Sequence, residues 1–177
     1  MPVDIRPAAE ADLPAITSIY DREVRHGTAT FELTPPELAE MTRRFRSLMD
    51  GGFPYLAATL ASEVVGYAYA GPYRPRPAYR FTVENSVYLA PAVHRQGIGM
   101  KLLRRLIEEC EARSYRQMIA VIGDSANAGS IGLHSRAGFQ MIGTHPNVGF
   151  KFGRWLDTVM MQRALGDGAS TTPQGAP

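Results

Sequence analysis

Glu84 is the one acid inside an otherwise apolar run, Phe81 to Leu89. A carboxyl that faces the core of a half-buried strand must be neutral or partnered. With a raised pKa it would suit general-base work, directly or through a water. The alternative is a place on the solvent face, because side chains alternate along a strand. Downstream, His94-Arg95-Gln96-Gly97-Ile98-Gly99-Met100-Lys101 sets two glycines one residue apart where a strand gives way to a helix. Glycine lets backbone approach a ligand closely, and a helix start offers unpaired N–H groups and a positive dipole end. The expected guest is an anion, a phosphate or pyrophosphate; the alternative is a plain turn. The stretch lacks the third glycine of a Rossmann fingerprint and the Gly-Lys-Ser/Thr of a P-loop. Arg74-Pro75-Arg76 is a stiff, extended segment whose two guanidinium forks point the same way. Such a pair fits a carboxylate, with a solvated basic loop as the alternative. His134 suits proton traffic near neutral pH, unless it is satisfied locally. Cys110 lies on the apolar stripe of a helix and reads as core, not nucleophile. The four histidines have no ligand spacing, so no metal site is expected.

The elements that must hold these residues follow from periodicity. Val3 to Arg6 reads as a first strand. Leu13, Ile16, Ile19, Tyr20 and Val24 recur at helical spacing behind a candidate cap, Asp12. A second helix is expected to open at Thr34-Pro35-Pro36-Glu37 as a capping box and to end at Gly51-Gly52. Tyr55 to Leu60 and Val64 to Gly71 form a hairpin, and Tyr79 to Leu89 is a long strand leading into the glycine turn. The helix from Gly97 to Ser114 buries Ile98, Leu102, Leu103, Leu106, Ile107 and Cys110. Gln117 to Ile122 is a strand, a short helix follows Asn127, and Phe139 to Gly143 and Asp157 to Gln162 are final strands separated by a glycine-rich loop. The order is β-α-α-β-β-β-α-β-α-β-β, an α/β domain of residues 1–165 with a disordered tail at 166–177. A net charge of +2 with no basic stripe gives no reason to expect nucleic acid. No apolar run approaches a membrane span. The N-terminus does not read as a signal peptide, and the single cysteine fits a reducing compartment, so a cytoplasmic protein is expected.

The glycine turn resembles the GNAT superfamily signature, Gln/Arg-x-x-Gly-x-Gly/Ala, which follows a bulged strand and opens a helix. His94 stands where the family usually has Gln or Arg. Asn127 to Phe139 resembles a second family segment, with His134 where many members have Tyr. Thr30-Phe31-Glu32, Thr82 to Leu89, His134 and Gly149 to Asp157 look like the phosphinothricin/methionine sulfoximine acetyltransferase branch. The resemblance implies a mixed, twisted, largely antiparallel sheet with a splayed pair of central strands, flanked by about four helices. It implies acetyl-CoA as co-substrate, without a metal. Acetyl would pass to the α-amino group of a small amino-acid-like acceptor by direct attack in a ternary complex, not through Cys110.

By the same resemblance, Val87-Tyr88-Leu89 would offer an oxyanion donor and pair with the pantetheine. Arg95, Gln96, Gly97, Ile98, Gly99, Met100 and Lys101 would hold the pyrophosphate, and Asn127 and Ser130 would meet the pantetheine; Asn127 also reads as a helix cap. Glu84 would be the base. His134 would protonate the leaving sulfur or orient the amine. Arg74, Pro75, Arg76, Asn85 and Phe31 would line the acceptor site, with hydrophobic packing as the equal alternative for Phe31. A homodimer is implied, in keeping with the apolar stretch Phe150 to Trp155. Acetylation of a peptide or protein amino terminus is the alternative activity, and a non-catalytic acyl-CoA-binding module the alternative class.

Overall fold

The computed structural model describes residues 2–175. Its elements follow the expected order: β1 (Asp4–Pro7), α1 (Leu13–His26), α2 (Leu38–Asp50), β2 (Tyr55–Leu60), β3 (Glu63–Pro72), β4 (Thr82–Leu89), α3 (Ile98–Ala112), β5 (Gln117–Gly123), α4 (Ala128–Arg136), β6 (Gln140–Lys151) and β7 (Arg154–Ala164). The seven strands form one sheet in the order β1-β2-β3-β4-β5-β7-β6. All neighbours are antiparallel except β4 and β5.

That parallel pair decides the architecture. β4 and β5 run together only from Thr82↔Gln117 to Asn85↔Ala120 and then diverge. The other edge of β4 stays laddered to β3 without a break, from Pro72↔Val83 to Gly66↔Leu89. The expected bulge is therefore absent from this ladder, and the splay comes from β5 turning away.

Two cores cover the two faces of the sheet. One packs α3 (Leu102, Leu103, Leu106, Cys110) on Val83, Ala68 and Met118. The other packs α1 (Leu13, Ile16, Tyr20, Val24) and α2 (Met41, Phe45) on Tyr55 and Tyr67. Cys110 is fully buried, and burial pushes its thiol up to about 12, the behaviour of a core residue.

The helix caps expected for α1 and α2 are corrected. The Asp12 carboxylate turns back to the Ala9 amide and to Arg6, each at 2.8 Å, tying β1 to the entry of α1. α2 begins at Leu38, and Glu37 makes no side-chain cap. Pro35 and Pro36 hold the residues before them extended, which delays the helix. The expected glycine-rich loop before Asp157 is also corrected. It is the greater part of a long β6–β7 hairpin that turns over Phe152 (φ 52°) and Gly153 (φ 72°). The register break between His145 and Gly149 absorbs Pro146, which has no N–H for the ladder, and Asn147 at φ 57°; a second break, between Met141 and Gly143, skips Ile142.

The stretch expected as a tail starts with turns. Gly168 bonds the Leu165 carbonyl, and Arg116 reaches both Asp167 and Thr171. Residues 176 and 177 lie outside the described part. No helix among the described residues is long and apolar enough to cross a membrane.

Candidate active site

The site is built where β4 and β5 part. A crevice of about 50 Å³ lies there, lined by Asn85 to Tyr88 of β4, Ala120 to Gly123 of β5, Ala29, and Asn127, Ser130 and His134 around α4. The hydrogen-bonding phase of β4 determines which groups face the gap. The Ala90 amide bonds Val65 of β3. Amides alternate sides along an antiparallel strand, so those of Tyr88, Ser86 and Glu84 also point to β3. Those of Val87 and Leu89 point toward the space that β5 has left. Of the three residues expected to offer an amide, Val87 and Leu89 retain that capacity. The Tyr88 amide belongs to the ladder, and its ring packs edge-on to Tyr20.

The side chains of β4 alternate as well. Val83 enters the α3 core, and Asn85 reaches His134 of α4. Ser86 bonds Tyr69, and Tyr88 joins the α1/α2 core. Glu84 therefore lies on the α1/α2 face with Tyr69 and Ser86, while His134 lies across the sheet. Glu84 is half-buried, and burial alone pushes its pKa above the ordinary carboxylate value. The solvent-face alternative does not hold.

His134 is 4% exposed. Its Nδ1 lies 2.8 Å from the Ser130 carbonyl, and its Nε2 lies 3.0 Å from Asn85 Oδ1. The Asn85 amide nitrogen donates to the Ile119 carbonyl at 3.1 Å. Carbonyl oxygens only accept, so every one of these contacts is a hydrogen bond only in the imidazolium. Rotating the Asn85 amide moves the acceptor–acceptor contact to Ile119 without removing it. Burial opposes the charge and lowers the His134 pKa, and the Ser130 carbonyl raises it. Burial is the larger of the two effects, so the His134 pKa lies below the ordinary imidazole value. Asn85, expected to line the acceptor site, is buried on the His134 side.

The glycine turn ends in a helix start. Gly97 precedes α3 at φ 79°, and Arg95 has φ 61°. Alternating left-handed residues curl successive N–H groups into a concavity that suits an anion. Among the described residues, the amides of Arg95 through Met100 have no backbone acceptor, whereas Lys101 donates to the Gly97 carbonyl at 3.2 Å. The expected donor set therefore loses its last amide. His94 folds back so that Nε2 donates to the Leu89 carbonyl at 3.3 Å, joining the turn to the end of β4. Asn127 caps α4 by accepting the Ser130 amide at 3.1 Å.

Arg74, Pro75 and Arg76 are exposed on the β3–β4 connection, before the strand that carries Glu84. The Arg74 guanidinium lies over Tyr73 and Tyr79, 5.1 and 5.9 Å from the ring centroids. Phe31 sits in the α1–α2 loop against Gly123 and Gly149, where a Cβ on either glycine would crowd its ring. Sequence reasoning assigned no site role to three further groups: Tyr69, beside Glu84; Tyr20, whose hydroxyl meets Thr30 at 2.8 Å; and buried Lys151. A polar residue inside an apolar stripe was the only available signal, and Tyr20 alone carried it.

Comparisons with known proteins identify the family and the fold. The family model described as an acetyltransferase (GNAT) domain matches residues 5–160. The chain is 52% identical over 170 residues to phosphinothricin N-acetyltransferase of Alcaligenes faecalis, covering 96% of this chain and 86% of that protein. It is 45% identical over 166 residues to the L-methionine sulfoximine/L-methionine sulfone acetyltransferase of Pseudomonas aeruginosa, covering 93% and 96%. Among solved structures, a phosphinothricin acetyltransferase from Sinorhizobium meliloti in complex with acetyl-CoA matches with a TM-score of 0.96 at 48% identity, covering 99% of this chain and 96% of that one.

Proposed function

This chain belongs to the GNAT acetyltransferase family and is an N-acetyltransferase; on that premise we propose that it acetylates the α-amino group of a small amino-acid-like acceptor of the phosphinothricin, methionine sulfoximine or methionine sulfone type. The observation that carries the reading is the gap between β4 and β5, with Glu84 on one face of the sheet and His134 on the other. Acetyl-CoA fits the open groups: the free amides of Arg95 through Met100 suit its pyrophosphate, and the freed amides of Val87 and Leu89 suit its pantetheine and thioester.

In this reading the acceptor enters on the α1/α2 face. Glu84 takes a proton from its ammonium, directly or through a water, and leaves a neutral amine. The neutral nitrogen attacks the thioester carbonyl, and the amide of Val87 or Leu89 stabilises the developing oxyanion. The tetrahedral adduct sheds the extra proton of its nitrogen to water and collapses with cleavage of the carbon–sulfur bond, and His134, from the opposite face, gives a proton to the departing thiolate. No side chain is acetylated on the way. Arg74 and Arg76 hold the carboxylate that an amino acid carries beside its amine.

The test is thiol release from acetyl-CoA across a panel of amino-acid analogues, with peptides as the contrast. Phosphinothricin, methionine sulfoximine or methionine sulfone should be turned over with the highest kcat/KM; a preference for peptide amino termini overturns the reading. A second expectation separates the two glycines. Gly97→Ala is strained at φ 79° and should cost about 1–2 kcal/mol of stability, and it should raise the acetyl-CoA KM. At Gly99 a Cβ meets Leu89 and Leu133 at ordinary distances of 3.4 and 3.5 Å, so Gly99→Ala should melt no lower than the parent. Thermal melts and acetyl-CoA saturation curves decide both.

We also propose a homodimer. Val148, Phe150, Phe152 and Trp155 are each more than half exposed on the β6–β7 hairpin, and a patch of that kind on an edge strand invites a second copy. Sedimentation of the parent should give a dimer, and Phe150→Lys with Trp155→Lys a monomer.

A further inference from the structure

Lys151 is a cation almost wholly removed from water, at 3% exposure, and the proposed chemistry does not use it. It stands at the end of β6, just before the hairpin turn. Its ammonium donates to the carbonyls of Gly27 and Thr30, each at 2.8 Å. Gly27 is the C-cap of α1, where a positive charge is favoured. Thr30 belongs to the loop that carries Ala29, at the crevice, and Phe31. One side chain therefore ties both ends of residues 27–30 to the hairpin.

Two glycines complete the arrangement. The Thr28 carbonyl and the Phe31 ring lie where a side chain on Gly123 would be, and the Phe31 ring also lies where one on Gly149 would be. From the other side, the Thr30 hydroxyl meets the Tyr20 hydroxyl at 2.8 Å, and Glu32 binds Arg44 at 2.6 Å. The loop is thus held between α1/α2 and a hairpin far away in sequence. A loop left to itself would not keep one aromatic ring in one orientation, because ordering each residue costs conformational entropy.

We propose that Lys151, with Gly149, is a positioning element that fixes the α1–α2 loop and its Phe31 ring as a wall of the acceptor site, so that the β6–β7 hairpin sets acceptor specificity. This rests on the acceptor site proposed above.

Lys151→Met keeps the aliphatic bulk and removes the donors. It should raise the acceptor KM about 10-fold or more, because small misplacements of a substrate-contacting group are costly. The acetyl-CoA KM should rise much less, since the amides proposed for the pyrophosphate belong to the glycine turn and not to this loop. Gly149→Ala, which leaves Lys151 intact and displaces the ring directly, should do the same. In a Phe31→Ala background neither change should raise the acceptor KM further. An unchanged acceptor KM in both folded variants overturns the proposal, as does a full additional effect without Phe31. Hydrogen exchange at the amides of residues 28–32 keeps the test independent of substrate. Lys151→Met should speed it about 10-fold or more, and unchanged exchange overturns the clamp. Faster exchange in a protein that acetylates no amino-acid analogue supports the clamp and removes the substrate assignment alone.

Discussion

Glu84→Gln should lower kcat by about 10²- to 10⁴-fold, the usual contribution of a positioned general base, and leave acetyl-CoA affinity within about twofold. The split is expected because Glu84 lies on the face opposite His134, away from the amides proposed for the nucleotide. Parent kcat/KM should rise with pH as Glu84 ionises, with its acid limb above the ordinary carboxylate range because burial disfavours the charged form. That limb should vanish in the variant. Stability supplies a control with a definite sign. A carboxyl whose folded-state pKa is raised stabilises the fold while protonated and loses that contribution as pH rises through the folded value. Once ionised, Glu84 is therefore a burden on the fold, and above its folded-state pKa the Gln variant, which is never charged, should melt at or above the parent temperature. Full activity at neutral pH in a folded Glu84→Gln protein sinks the base assignment.

The second large effect is expected at the arginine pair. Arg74→Ala combined with Arg76→Ala should raise the acceptor KM about 100-fold, since a hydrogen bond to a charged group contributes about 1.5–3 kcal/mol and each 1.4 kcal/mol is tenfold. kcat should change much less. An acceptor amine that lacks the carboxylate separates this clamp from a general disturbance of the segment: it should be a poor substrate for the parent and no worse for the double variant. Arg74 should contribute the larger share, because stacking on Tyr73 and Tyr79 restrains its guanidinium, whereas no such contact restrains Arg76 among the described residues. An unchanged acceptor KM excludes the clamp.

Much of the fold was legible from periodicity and punctuation. The stripe from Ile98 to Cys110 is a helix with those side chains buried, and Tyr55–Leu60 is a strand with the expected bounds. The glycine turn was legible because φ of 79° at Gly97 is a local requirement that only glycine meets without strain. Where the reading failed, the cause was a pairing that periodicity does not encode. Asp12 looked like a cap but pairs with Arg6. The glycine-rich stretch before Asp157 looked like a loop but is laddered to β7 through two register breaks.

The sequence alone determined the order of elements, the glycine turn that opens α3 and the identity of the ionisable residues that chemistry would need. It left open which of them face each other. Alternation could put Glu84 on either side of its strand, and only the sheet order and the two covering cores assign it to the α1/α2 face. The gap beside Val87 exists because β5 diverges after Ala120, and the divergence belongs to a pair of strands, so neither strand carries it alone. Lys151 makes the same point at longer range: its partner Gly27 is 124 residues away. A contact across that separation forms only once the whole chain has closed, and local spacing holds no record of it.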